Sequence, residues 1–142
     1  MANLAEQLRQ ELTDRAKNSE SCKEHLLEWV MNEFRAGSNP VIIKCTNSAF
    51  VNDVSKELRD KFKSKYKVLP DYFDISYNNG KHYAKMSGYN DKQIDITDLP
   101  DAQRYACNGQ DESDKTLFLQ NEGFHVMKHW KYGTGDILEI TY

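Results

Sequence analysis

The stretch from Asp114 to Tyr142 constrains the fold more than any other, because it fixes a helix, its stop and a closing hairpin in that order. Asp114 or Ser113 can cap a short helix through Leu117, Phe118 and Asn121. Gly123 stands where a helix end needs a residue able to take positive φ, and Phe124 is placed to close a Schellman contact back onto the helix. Phe124, Val126 and Trp130 then alternate with His125, Met127 and His129, the two-residue period of a strand. Tyr132-Gly-Thr-Gly-Asp136 reads as a hairpin turn, with Gly135 free to take the left-handed position of a three-residue loop. Leu138, Ile140 and Tyr142 complete the returning strand.

An apolar face selects the register. With Tyr132 opposite Asp136, Trp130 faces Leu138, Lys128 faces Ile140 and Val126 faces Tyr142, so one face is apolar apart from Lys128. A shift of one residue sets Lys128 against Glu139 but loses that face, so the first register is expected. Removing the last few residues should then harm the fold.

The rest of the chain supplies helices and short strands. Leu4, Leu8 and Leu12, with Ala5 and Ala16, form a helical stripe over about 3–17. Asn18-Ser-Glu-Ser21 interrupts it, and Ser21-Cys-Lys-Glu24 has the capping-box spacing. Leu26, Leu27, Val30 and Phe34 continue at helical spacing, as one bent helix or a second one. Val41–Cys45 is an apolar strand, and Asn47 or Ser48 can cap a helix carried by Val51, Val54, Leu58 and Phe62. Tyr72–Tyr77 and His82–Met86 flank Asn78-Asn-Gly80, a strong hairpin signal. A short strand is expected over Gln93–Ile96. Asp98 can cap a helix opening Leu99-Pro100 and stopping at Asn108-Gly109. The residues Asn108–Asp114 read as a polar loop. The expected fold is α+β: one domain over 1–142, with a helical segment at 1–37 and a body at 40–142, a mostly antiparallel sheet with helices on one face.

At 142 residues the chain is long enough to bury a core unaided, and its net charge of −3 gives no global bias towards nucleic acid or anionic membrane. No apolar run approaches the roughly 20 residues that span a bilayer, and the first residues lack the basic start and apolar centre of a signal peptide. Cys22, Cys45 and Cys107 are odd in number and widely spaced, which suits reduced thiols and a cytoplasmic location. No membrane partner is expected.

Chemistry-bearing residues are scattered. His125 and His129 share a strand face, with Glu139 expected opposite His129; such a set can bind a metal or relay protons. Residues i and i+4 of a strand lie about 13 Å apart, too far for both rings to share an ion. A solvated sheet face is the plainer reading. His25 and His82 have no partner assignable from sequence. Cys45 precedes an expected helix start, where a thiol pKa can fall; Ser48 is similarly placed, but no base can be named for either. A buried strand cysteine and an N-cap are the plainer readings. Asp91, Asp95, Asp98 and Asp101 crowd one segment without EF-hand spacing. There is no GxxxxGK[ST], GxGxxG or HExxH. No catalytic residue, metal ligand or cofactor is therefore assigned, and the balance leans away from an enzyme. A small enzyme or metal protein using His125, His129 and Glu139 remains the third alternative.

Two surfaces could bind. Lys56, Arg59, Lys61, Lys63, Lys65 and Lys67, with Phe62 and Tyr66 among them, could hold nucleic acid; Glu57 and Asp60 interrupt the charge, as on an ordinary solvated face. Eight tyrosines are present, several near turns: Tyr72, Tyr77, Tyr83, Tyr89 and Tyr132. Tyrosine offers rigid amphipathic contact area, which favours a protein-binding surface. A homodimer through the first helices or an exposed strand edge is also compatible with the pattern.

Glu28–Gly37 leading into Val41–Ile43, and Leu119–Phe124 leading into Ile137–Tyr142, form an architecture similar to small accessory proteins of bacteriophages and other mobile elements. The resemblance covers about a third of the chain and carries no catalytic or binding residue. It implies binding to a host or viral macromolecule, in some cases to inhibit a defence system. A non-enzymatic protein-binding role is the first expectation, with nucleic-acid binding through residues 56–67 as the alternative.

Overall fold

The structure, a computed structural model, describes the backbone of residues 3–142 and the side chains of 3–10 and 22–142. The chain opens with one helix, α1 (Leu4–Arg35), capped by the Asn3 side chain accepting from the Glu6 N–H. Its 32 residues correspond to about 48 Å of helix. The interruption expected at 18–21 does not occur in the backbone. The stripe positions Leu12 and Ala16 and the Ser21 capping box lie outside the described side chains. Cys22, Leu26 and Val30 are buried, whereas Leu4 and Leu8 are exposed.

Two antiparallel sheets follow. Strands β1 (Val41–Lys44), β6 (His125–Lys131) and β7 (Gly135–Thr141) form a three-stranded sheet in the order β1-β7-β6. Strands β2 (Ser48–Phe50), β3 (Tyr72–Asn78), β4 (Lys81–Met86) and β5 (Gln93–Asp95) form a four-stranded sheet in that order. The domain is α+β as expected, but its strands divide between two sheets where one was anticipated. Leu26, Val30, Val41, Ile43, Leu119, Leu138 and Ile140 fill the core of the first sheet. Leu58, Phe62, Phe73, Ile75, Ile94 and Ile96 fill that of the second. Tyr105 joins the second core and Ala106 the first, so adjacent residues tie the two together.

The β3–β4 turn follows from its sequence: Asn79 and Gly80 both take positive φ, 53° and 80°, as a two-residue hairpin requires. Helix α4 (Gly109–Asn121) ends as expected. The Gly123 N–H donates to the Gln120 carbonyl and the Phe124 N–H to the Leu119 carbonyl, the Schellman pair, with Gly123 at φ 95°.

Three local expectations are corrected. Ser48 does not cap a helix: Ser48-Ala49-Phe50 is the edge strand β2, paired with Asp74, Phe73 and Tyr72. Helix α2 (Lys56–Tyr66) starts later, with the Ser55 hydroxyl accepting from the Leu58 N–H. Asn108 does not stop a helix but caps α4, its side chain accepting from the Asp111 N–H at 2.8 Å. The residues read as a polar loop are therefore the first turn of α4, and α3 (Asp101–Arg104) is a single turn. Asp98 caps nothing; it is exposed and lies 3.8 Å from His25.

The C-terminal hairpin sits two residues away from the expected register. Trp130 faces Asp136, Lys128 faces Leu138 and Val126 faces Ile140. A two-residue slip preserves the faces, so the apolar side is kept, while the loop moves to Tyr132-Gly133-Thr134. On the other edge of the central strand β7, Ile140 meets Val41 and Leu138 meets Ile43.

Candidate functional site

Strand β6 is the most exposed regular element of the body. Met127 (60% exposed), Trp130 (69%) and Tyr132 (89%) stand in solvent, and the Trp130 and Tyr132 rings meet edge to face at 6.3 Å. Burying such groups against a partner is favourable, and large aromatic rings dominate interface energetics. Val126 reaches the core on the inner face, and Lys128 beside it pairs with Glu112 of α4 at 3.0 Å. That pair raises the Lys128 ammonium above its ordinary value. The outer face carries His125, Met127, His129 and Lys131.

His129 pairs with Glu139 at 3.2 Å, diagonally, because the register sets Met127 rather than His129 opposite Glu139. Among the described residues, no group of three His, Cys, Asp or Glu side chains could hold a metal ion.

The five tyrosines do not form one patch. Tyr72 and Tyr83 lie on the outer face of the four-stranded sheet, where Phe50 and Tyr72 touch at 4.7 Å. Tyr77 points to the opposite face and donates to Asp114 at 3.3 Å; burial pushes its phenol up to about 12. Tyr89 is in the loop after β4, with the Lys92 ammonium 5.1 Å from its ring centre. Tyr132 is in the turn between β6 and β7, at the end of the other sheet.

The basic helix is largely engaged with its own fold. Lys61 donates to the Asp95 carbonyl and Lys65 to that of Gln93, which covers the free edge of β5. The Tyr66 hydroxyl accepts from the Gln93 N–H at 2.8 Å and reaches the Gln93 carbonyl at 2.8 Å. Lys67 takes the left-handed cap position, φ 63°, and its ammonium donates to the Ser64 carbonyl. Lys56 pairs with Asp60. Lys63 is exposed and Arg59 half-buried. Tyr66→Phe should cost about 1 kcal/mol, the worth of one such bond, and speed exchange of the Gln93 amide; chemical denaturation and amide exchange check both.

The acidic segment also disperses. Asp101 is fully buried and accepts from the Ser55 N–H at 2.8 Å and from the Ser55 hydroxyl. Asp95 accepts from the Thr97 N–H, and Asp91 pairs with Lys92. Cys45 precedes no helix, and burial, with Glu112 beside it, pushes its thiol up to about 11. Burial thus favours the protonated thiol, the opposite of what a nucleophile needs.

One polar cluster was invisible in the sequence. His82 on β4 and Asp111 and Lys115 on α4 are all buried. His82 Nε2 lies 3.2 Å from Asp111 Oδ2, and Lys115 Nζ 3.7 Å from the same oxygen. The Cys107 N–H donates to that oxygen at 3.1 Å. Lys115 also donates to the Ala102 and Tyr105 carbonyls, at 2.8 and 2.6 Å. Burial alone would raise the Asp111 carboxyl, but His82, Lys115 and the Cys107 N–H hold it below its usual range. Burial pulls His82 below its usual value. The i, i+4 spacing of Asp111 and Lys115 was the available signal, hidden by reading that stretch as a loop.

A cavity of about 30 Å³ adjoins this cluster, lined by Cys22, Tyr77, His82, Gln103 and Lys115 among others. That volume suits one or two waters. His82 Nδ1 and both amide atoms of Gln103 are buried without a hydrogen-bond partner among the described residues. The Cys22 thiol donates to the Gly80 carbonyl, and burial pushes it up to about 11. Gln103→Met keeps the side-chain volume and removes only atoms that no described residue pairs. It should change unfolding free energy by less than about 1.5 kcal/mol, as measured by urea denaturation.

No protein-family model, curated protein or solved structure matches the chain. The class is therefore defined by architecture alone: a single α+β domain of two antiparallel sheets. Among the described residues no helix is long and apolar enough to cross a membrane.

Proposed function

We propose that the chain is a non-enzymatic binding protein that acts through a protein–protein interface on its C-terminal hairpin. The observation that carries this reading is the exposure of Met127 and Trp130 on the two faces of β6 and of Tyr132 in the turn after it, with no strand among the described residues paired along the other edge of β6. The thiols support it, because Cys22, Cys45 and Cys107 are all raised by burial, to about 11, 11 and 12. They are free, which suits a reducing, cytoplasmic setting. The architectural likeness to mobile-element accessory proteins makes a host macromolecule the natural target. The proposed interface is narrower than a general tyrosine-rich surface: of the five tyrosines, it uses Tyr132.

The test is photo-crosslinking. A benzophenone amino acid at Tyr132 or at Tyr89 is introduced into the tagged chain, and crosslinked material is recovered from cell lysate with and without nuclease. A nuclease-resistant protein crosslinked from position 132 and not from 89 supports the proposal. Crosslinks from 89 alone, or none from 132, refute it. Nuclease-sensitive adducts would return attention to the lysines of α2.

A further inference from the structure

We infer that the partner docks by adding an extended, acidic segment to the free edge of β6, as a fourth strand beside β1-β7-β6. This rests on the hairpin being the interface and names how it is used.

The sheet edges differ in what covers them. The β5 edge is occupied by Lys61, Lys65 and Tyr66 of α2. The β1 edge continues into Tyr105 and Ala106, with the Ala106 N–H donating to the Lys44 carbonyl at 2.8 Å. The β2 edge is three residues long. Strand β6 is seven residues, about 23 Å, and among the described residues it pairs with β7 alone. Beyond that pairing, the one backbone hydrogen bond to this strand among the described residues is from the Thr134 N–H to the Lys131 carbonyl, in the turn. The outward amides and carbonyls of β6 are therefore open to a further strand.

Charge chooses the occupant. The chain is acidic overall, at −3, yet β6 reads His-Val-Met-Lys-His-Trp-Lys and holds no carboxylate. A second copy is a poor fit. Antiparallel self-pairing centred on Lys128 sets Lys128 against itself, and no other register brings in a carboxylate from the strand. Like charges placed opposite one another destabilise a strand pair, and opposite charges stabilise it. Lys128 already has Glu112, so Lys131 is the cation left to recruit an acid. The outer face then asks for an acidic side chain beside Lys131 and an apolar one beside Met127. The inner face asks for an apolar or aromatic side chain beside Trp130.

The experiment uses the full chain and a random twelve-residue peptide display library, followed by amide hydrogen exchange with the selected peptides bound. Acidic, strand-prone peptides should be enriched. They should slow exchange of alternate β6 amides at least tenfold, and Lys131→Glu should weaken them at least tenfold while selecting basic peptides instead. Circular dichroism confirms that the variant folds. An empty selection, protection elsewhere, or indifference to Lys131→Glu overturns the inference. If Tyr132 still crosslinks a partner while the β6 amides exchange freely, strand addition fails and the interface reading survives. A concentration-dependent dimer with β6 protected would make the occupant a second copy and overturn the acidic-segment proposal.

Discussion

Asp111→Ala should lower the unfolding free energy by about 3–5 kcal/mol, the loss expected when one member of a buried ion pair is removed. A domain of ordinary stability has about 5–15 kcal/mol in total, so this variant should sit near the edge of folding. The reason lies in what is left behind. Lys115 would remain buried without its carboxylate, and the His82 Nε2 and Cys107 N–H groups would lose their acceptor. Lys115 also holds the carbonyls of Ala102 and Tyr105, where the two cores meet, so the damage should reach the seam between the sheets. Urea denaturation measures the effect. The double variant Asp111→Leu/Lys115→Met should recover part of the loss, since an apolar pair leaves no stranded charge. A single variant within 1 kcal/mol of the parent would show that the cluster does not hold the fold.

The same cluster sets a pH dependence. His82 is held below its unfolded value near 6.5, so as pH falls the unfolded chain takes up the proton first. Its contribution is full above about 6.5 and declines below that. Asp111 is likewise held below 3.8, which adds a second decline as pH drops through that region. Thermal unfolding followed from pH 8 to 3 should show both steps. His82→Gln should remove the upper one.

The sequence made local geometry legible where one residue type meets one backbone need. Gly123 before Phe124 announced the Schellman end, and Asn79-Gly80 announced the tight turn. Long-range choices were hidden. Hairpin registers two residues apart present the same faces, so the apolar alternation of the two strands does not select between them. Ser48-Ala-Phe50 is too short to show strand periodicity by itself; its pairing with β3 creates it. Composition alone places a loop at the start of α4, since Asn, Gly, Gln and Asp are turn residues, whereas Asn108 caps the helix and Asp111 pairs inward. Burial of His82 is a tertiary fact with no local mark. Of the candidate site, Trp130 and Tyr132 were visible as residues. That Trp130 stands on an open edge, with Tyr132 in the turn beside it, follows only once the sheet order places β7, not β6, in the centre.

Trp130→Ala should weaken partner binding by at least about 2 kcal/mol, roughly a 30-fold loss, while leaving the fold intact. Both halves follow from the same observation. The side chain is 69% exposed and faces Asp136 beyond the apolar part of the sheet, so truncating it opens no cavity. Surface substitutions of this kind stay within about 0.5 kcal/mol in stability. In a complex, the indole would be the largest apolar group buried at the hairpin, braced edge to face by Tyr132. Tyr89→Ala is the matched control, since Tyr89 is exposed on the loop after β4 of the other sheet and should change affinity less than threefold. Titration of the crosslinked partner against each purified variant reads the difference directly. Equal losses would spread the interface across both sheets. A loss confined to Tyr89→Ala would move it to the four-stranded sheet, and the hairpin reading would fall.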